Sequence, residues 1–313
     1  MRLMCGTRWF LLLVAIGVCA VAATASATAG STAREAPPPG YLFDGVPHEP
    51  PAPPYVPPPV PGPGTVPQPP VEVKPEITLK EPEVGETWYD GDTVTVSWNQ
   101  VGPIAWVKVY YEGERCKLGG QDRGRFDGLI GGEKISGKTS VTWKVPWLDG
   151  TSLVLHVVGF DDAGKRLTEA ERKVRLLPRE LKTKLAPTCV AVVKRVQRLY
   201  YFVDGETKLM HIVSTAAPGY LTPNMRPGSY DRRYGQMGRV FDKLERPKSR
   251  QYQVYMPWWL AITSSGSHGL HATSPNLYDR LGSPASHGCV RQHYNDARNL
   301  YSVVKVGTPV YVF

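Results

Sequence analysis

Seventeen of the chain's 30 prolines lie between Pro37 and Pro75. Proline fixes φ and has no amide proton, so neither a helix interior nor a central strand tolerates that density. Runs such as Pro50-Pro51-Ala52-Pro53-Pro54 and Pro57-Pro58-Pro59 favour the extended polyproline II form. Residues 28–75 therefore read as a stiff linker, and the foldable material is confined to residues 76–313. At about 3.1 Å per residue such a linker reaches on the order of 100 Å, enough to tether a domain across a layered envelope.

Ahead of the linker, Arg2 and Arg8 make a positive start and Trp9 to Ala23 is an apolar run of 15 residues. That is short for a membrane span. Ala25-Ser26-Ala27 then supplies a small-x-small cleavage pattern. Residues 1–27 are expected to be a signal peptide, and the product to be exported to the periplasm or cell wall, with membrane contact only through that signal. An uncleaved anchor is the other reading. Lipidation of Cys19 is disfavoured by the bulky Val18 before it.

A hydrophobic content of 42% excludes a mostly disordered chain, and the single long apolar run excludes a polytopic membrane protein. The net charge of +9 is local: residues 186–313 hold 16 Lys/Arg against 7 Asp/Glu, whereas residues 1–185 hold 21 of each. Of five cysteines, Cys5 and Cys19 fall in the leader, which leaves Cys116, Cys189 and Cys289. In an oxidising compartment two of the three can pair. A free exported thiol invites oxidation and needs a reason, so the unpaired one is a candidate nucleophile.

Residues 76–180 read as an all-β module. Val94, Val96 and Trp98 alternate with polar residues, as do Val107, Val109 and Tyr111, and Val141, Trp143 and Val145. Leu153 to Phe160 makes a further strand, closed by the turn signal Asp161-Asp162-Ala163-Gly164. Short strands at this spacing suggest a β-sandwich. The stretch Gly85 to Trp98 loosely resembles immunoglobulin-like modules of cell-surface proteins, which implies a binding or spacing role. His156 sits mid-strand and reads as structural.

Residues 190–215 alternate in the manner of strands around a turn at Asp204-Gly205, with Val192, Val196, Tyr200 and Phe202 as core positions. From Pro218 to Arg250 the composition shifts to Gly, Pro and eight basic residues, which reads as a long loop or lid. A basic stretch attracts anions. Nucleic acid is not expected as the partner of an exported protein, and a carboxylate-bearing peptide or polymer fits better.

The chemistry lies beyond this stretch. Ser267-His268-Gly269-Leu270-His271-Ala272-Thr273 comes first, and fourteen residues separate His271 from Ser286-His287-Gly288-Cys289-Val290-Arg291. A thiolate is the attacking species in thiol catalysis, and a nearby imidazole takes up its proton. Gly288 allows close backbone approach, and the successive amides of residues 287–289 are candidates to hold an oxyanion. The residues alone indicate thiol acyl transfer or hydrolysis.

The same residues resemble the signature of L,D-transpeptidases with a YkuD-type catalytic domain. Leu221 to Tyr230 is similar to that family's Thr-Pro-x-Gly segment, with two extra residues. Asn295 to Tyr301 resembles its short helix and Val306 to Val312 its closing strand. The chain is thus expected to be mainly β: an immunoglobulin-like β-sandwich over residues 76–180, then a β-rich L,D-transpeptidase catalytic domain with one or two short helices over residues 186–313.

The resemblance implies that Cys289 is the nucleophile and that His271 is its base, held by a backbone carbonyl near Ala272. It also implies that His287 and Gly288 help shape the oxyanion hole, and that Ser286 and Arg291 orient the site. Tyr255 and Met256 are expected substrate contacts. His268 is expected with them as a rim residue, because residues three apart on a strand face opposite sides. The implied reaction releases the terminal D-Ala of a peptidoglycan stem, forms a thioester and passes the acyl group to a second stem as a 3→3 cross-link. Donor and acceptor stems are the expected partners, the β module is a candidate surface for a cell-wall or envelope protein, and no cofactor is expected. An L,D-carboxypeptidase or hydrolase and a non-catalytic wall-binding protein are the alternatives. A zinc site built from His268, His271, His287, Cys289 and His293 is the rival chemistry. If Cys289 is the free thiol, Cys116 and Cys189 are the remaining pair for a disulfide between the two folded parts.

Overall fold

Period-two burial organises the chain from the end of the linker onward. The computed structural model describes residues 54–57 and 72–313. The expected signal peptide and nearly all of the linker lie outside the described residues. Eight strands come first: β1 (Glu76–Glu81), β2 (Thr87–Tyr89), β3 (Thr93–Val101), β4 (Trp106–Glu114), β5 (Arg125–Ile135), β6 (Ser140–Lys144), β7 (Ser152–Phe160) and β8 (Arg166–Leu177). They form a three-stranded sheet, β1-β3-β6, and a five-stranded sheet, β2-β8-β7-β4-β5. Inward-facing Val96, Trp98, Val109, Ile130, Leu155 and Val174 close one apolar core between them. Trp88 and Trp143 meet edge to face within it, with centroids 5.7 Å apart.

The second set comprises β9 (Cys189–Val193), β10 (Arg198–Val203), β11 (Glu206–Ser214), β12 (Ser229–Asp231), β13 (Gly235–Leu244), β14 (Trp259–Thr263), β15 (Gly269–Ala272), β16 (Val290–Gln292), the helix α1 (Tyr294–Val303) and β17 (Val310–Val312). The nine strands follow the order β12-β13-β14-β15-β16-β11-β10-β9-β17. The sheet curls until its ends meet, with the Val240 amide donating to Thr308 O at 2.9 Å and that of Gly307 to Val240 O at 2.8 Å. Leu199, Val213, Leu260, Ile262, Leu270 and Leu300 fill the enclosed core. Among the described residues no helix is long and apolar enough to cross a membrane.

Pro218 to Arg250 is not the loose lid its composition suggests. Its middle is β12 and the ten-residue β13, which pairs with β14 and buries Met237 and Val240. Of the basic residues that gave the stretch a loop-like composition, only Arg239 and Lys243 lie on β13, and the other six sit in the segments that flank it. Of the eight, only Lys243 is half-buried, and its Nζ donates to Tyr301 O at 2.7 Å and Val304 O at 2.5 Å. A cation at the last carbonyls of α1 offsets the negative end of the helix dipole.

The candidate disulfide between Cys116 and Cys189, left open by the sequence, is not formed. Cys116 and Cys189 are both buried free thiols. Cys116 Sγ donates to Met210 O at 3.3 Å, while Cys189 sits on β9 among Leu181, Tyr200 and Phe202. Burial pushes their pKa values up to about 12 and about 11, so both stay protonated and poorly nucleophilic.

Polar contacts join the two sets of strands instead. Arg195 reaches both carboxylate oxygens of Asp90, at 2.7 and 2.8 Å. Arg198 meets Asp149 at 2.7 Å, with side chains only 8% and 10% exposed. The loop after β4 settles on the first turn of α1. There the Gly119 amide donates to Asp296 Oδ2 at 3.0 Å, and Asn295 Nδ2 donates to Gly119 O at 3.1 Å. Gly119 has φ +61, and a Cβ there would lie 2.1 Å from the His293 ring, so only glycine fits. Removing Asp149 leaves the Arg198 charge buried and unpaired. Asp149→Ala is expected to lower the unfolding free energy by about 3–5 kcal/mol. Arg125→Ala, which breaks an exposed pair with Glu112, is expected to cost about 1 kcal/mol or less. Urea denaturation of the two variants checks the contrast.

Candidate active site

A parallel pair inside a mostly antiparallel sheet creates the site. β15 and β16 run parallel with Leu270 opposite Val290 and His271 opposite Arg291. Parallel neighbours need a crossover connection. Residues 273–289 are that crossover, which gives the fourteen-residue gap between His271 and Ser286 its physical meaning. Side chains paired across neighbouring strands share a face. Arg291 and its partner His271 therefore share a face, and Cys289 comes immediately before β16. All three line an open cleft of about 720 Å³.

The two imidazoles of the His268–His271 segment are differently employed. His271 Nδ1 lies 2.8 Å from Ala272 O. A carbonyl only accepts, so Nδ1 carries the proton and Nε2 presents a bare lone pair. His268 has both nitrogens engaged: Nε2 donates to Leu221 O at 3.0 Å and Nδ1 accepts from Ser267 Oγ at 3.1 Å. His268 is not on the rim, as expected from alternation, but 6% exposed beneath Gly288. Its strand β15 begins only at Gly269, so the alternation does not extend to it, and the ring turns inward against Tyr234, centroids 4.6 Å apart.

The loop that carries Cys289 is held from below. Ser286 is fully buried, and its Oγ accepts the Gly288 amide at 3.1 Å. That amide is thus occupied, and among the described residues those of His287 and Cys289 make no intramolecular hydrogen bond. The three successive amides considered from sequence reduce to these two. Thr222, itself 1% exposed, accepts the Ala216 amide at 3.0 Å and donates to Gly288 O at 2.7 Å. Gly288 adopts φ +137, and a Cβ there would meet His268 Nε2 at 2.9 Å. Arg291 anchors the far side through Nη1 to Ala285 O at 2.9 Å.

Electrostatics keep the pair neutral at rest. Burial raises the Cys289 thiol, against smaller pulls downward from the Gly269 amide and the Arg291 charge. Burial lowers His271 to about 4; the Ala272 carbonyl opposes this and Arg291 adds to it. A thiol pushed up and an imidazole pushed down, in one cleft, are both uncharged at neutral pH.

Aromatic residues wall the opening. His287 is exposed and lies between Tyr220 and Tyr252, at 4.4 and 4.8 Å between centroids. Tyr255 is 54% exposed beneath the Arg246 guanidinium, which stands 4.5 Å from its ring centre, and Met256 lines the cleft beside it. Sequence reasoning gave no role to Tyr220, Tyr252 or Tyr234, because strands far apart in sequence bring them to the cleft. Thr222 stood beside Pro223 as an available signal, yet its bond to Gly288 O spans 66 residues. The rival zinc set does not assemble. His293 caps α1 and stacks on Tyr278, and among the described residues the five do not bring metal-ligating atoms within 4.8 Å of one another.

Residues 187–312 match the family model of the L,D-transpeptidase catalytic domain, YkuD. Among solved structures, the chain is similar to an L,D-transpeptidase from Stackebrandtia nassauensis at 27% identity, covering 42% of this chain and 57% of that one, with a TM-score of 0.34. A second, from Enterococcus faecium, is 24% identical over 41% of this chain and 50% of that one, with a TM-score of 0.33. A third, from Mycobacterium smegmatis, is 15% identical over 77% of this chain and 99% of that one, with a TM-score of 0.35. The match spans about half the length of the first two. No curated protein matches the sequence.

The depressed His271 sets a pH window for stability. Its folded value of about 4 lies below the ordinary 6.5, so the unfolded chain binds more protons between the two. Stability is complete above pH ~6.5 and falls as the pH drops toward ~4, by on the order of 3 kcal/mol. His271→Gln is expected to remove that share of the acid destabilisation, leaving what the other buried histidines contribute. Urea titrations of both chains from neutral pH to pH ~4 check it.

Proposed function

Residues 187–312 are a YkuD-type L,D-transpeptidase catalytic domain, and from that we propose that the chain is an exported cysteine L,D-transpeptidase acting on peptidoglycan stem peptides. The observation that carries the reading is the free Nε2 of His271, oriented by Ala272 O, in the cleft that also holds Cys289.

In this reading the Cys289 sulfur attacks the acyl carbon that precedes the terminal D-Ala, and its proton passes to His271 Nε2. The amides of His287 and Cys289 receive the oxyanion, and His271 returns the proton to the departing D-Ala amine as the C–N bond breaks. An amine of a second stem then attacks the thioester. It forms the new amide of a 3→3 link and loses a proton to His271, which hands it to the leaving sulfur. Arg291, with one Nη bound to Ala285 O, has further donors for a stem carboxylate. The exposed Tyr220, Tyr252 and Tyr255 offer apolar faces to the sugar-peptide backbone.

The β-sandwich is read as an immunoglobulin-like spacer and contact surface for a wall or envelope protein. The export signal and proline linker hold the enzyme in the periplasm or cell wall. The division of the chain at residues 27, 75 and 180–186 belongs to the same reading.

Mass spectrometry of purified stems incubated with the protein tests it. Cross-linked dimers lost in Cys289→Ala are the expected result. D-Ala release alone would make the enzyme a carboxypeptidase, and no change would leave a binding protein. His271→Ala is expected to lower turnover by about 10²–10⁴. Thr222→Val is expected to reduce kcat about tenfold with little change in KM, because the Gly288 carbonyl loses its anchor, and Thr222→Ser is expected to restore it.

A further inference from the structure

The outer face of the five-stranded sheet carries a cluster that the transpeptidase chemistry does not use. His156 on β7 lies between Tyr110 on β4 and Glu171 on β8, the residues directly opposite it in the ladder. Its Nδ1 is 2.9 Å from Glu169 Oε1 and 3.5 Å from Glu171 Oε1, and its Nε2 is 3.9 Å from Glu112 Oε1. The ring is 7% exposed and stacked on Tyr110, with centroids 4.5 Å apart. Nε2 is buried and has no hydrogen-bond partner.

That orphaned nitrogen is the informative feature. If Nδ1 donates to Glu169, the ring turns a bare, buried Nε2 lone pair toward the Glu112 carboxylate, another acceptor, and Nε2 is left without a donor. A cation on the Nδ1 side reverses the arrangement. Nδ1 then gives its lone pair to the ion, and the proton moves to Nε2, where it points at Glu112. Donors 2.9–3.5 Å apart can both sit about 2.1 Å from one ion, the ordinary zinc distance to nitrogen or carboxylate oxygen. The ligand atoms of His156, Glu169 and Glu171 lie within 4.8 Å of one another. Arg166 holds the other Glu169 oxygen, which leaves Oε1 aimed inward. Glu171 is 58% exposed and offers a path from solvent.

We propose that His156, Glu169 and Glu171 form a divalent-metal site, best suited to Zn²⁺, that clamps β7 to β8 with Glu112 on β4 orienting the imidazole. One imidazole with two carboxylates suits a borderline ion and leaves a position for water. A carboxylate on the far nitrogen of a ligating histidine is the usual supporting arrangement. The site is distant in kind from the thiol chemistry and braces the sandwich.

The test is calorimetric titration of the chelator-stripped chain with ZnCl₂ in a Cys289→Ala background, which removes the cleft thiol as a ligand. One zinc per chain is expected, with a rise in melting temperature. Glu171→Gln, a change at an exposed position, is expected to weaken binding at least about tenfold and abolish the thermal shift, and Glu112→Gln to weaken it about tenfold. Failure of the folded Cys289→Ala chain to bind zinc would overturn the proposal. So would unchanged affinity in both Glu171→Gln and His156→Asn.

Discussion

The parallel pairing of β15 with β16 governs the geometry of the cleft. An antiparallel return would need only a short hairpin and would reverse the order of the residues facing β15. The crossover instead brings the chain back in the same direction, so that Cys289 arrives beside the start of β15 and Arg291 beside His271. Everything else at the site secures that return. Ser286 and Thr222 tie down the amide and the carbonyl of Gly288, and His268 fills the space beneath it. Glycine at 288 follows from both its φ and the ring below.

Burial holds both Cys289 and His271 in their uncharged forms. Desolvation penalises the thiolate and the imidazolium alike, so neither forms ahead of substrate. Arg291 favours the thiolate and disfavours the imidazolium, which sets it nearer the sulfur's interests than the base's. The fixed tautomer of His271 costs nothing further at the moment of proton transfer, because the Ala272 carbonyl has already chosen it.

The β-sandwich is anchored to the curled sheet by charge rather than by a covalent bridge. Arg195 pairs with Asp90 and Arg198 with Asp149, both from the sandwich, and the loop at Gly119 engages the first turn of α1. α1 follows β16 after a single residue, His293. The loop therefore bears on the helix that continues the catalytic strand, while Cys116 and Cys189, the candidate pair for a staple between the halves, stay reduced and buried.

Much of this was legible in the chain. Alternation located β3, β4, β6 and β7, because a half-buried strand must alternate. The Ser286–Arg291 motif with His271 upstream marked the cleft, because those residue types have few other uses together. β13 was hidden: its buried Met237 and Val240 are separated by Gly238 and Arg239, and its outward residues are those of a loop. Sequence spacing favoured His271 over His268 as the base, but it did not show which ring nitrogens are engaged. Only the folded sheet assigned Leu221 O to one and an empty lone pair to the other. Nor could it join Thr222 to Gly288 or His156 to Glu112, Glu169 and Glu171. The sequence by itself determined which chemistry the chain carries and which segments alternate. Tertiary structure alone decided which nitrogens stay free, because a hydrogen-bond partner is fixed by position in space and not by spacing along the chain.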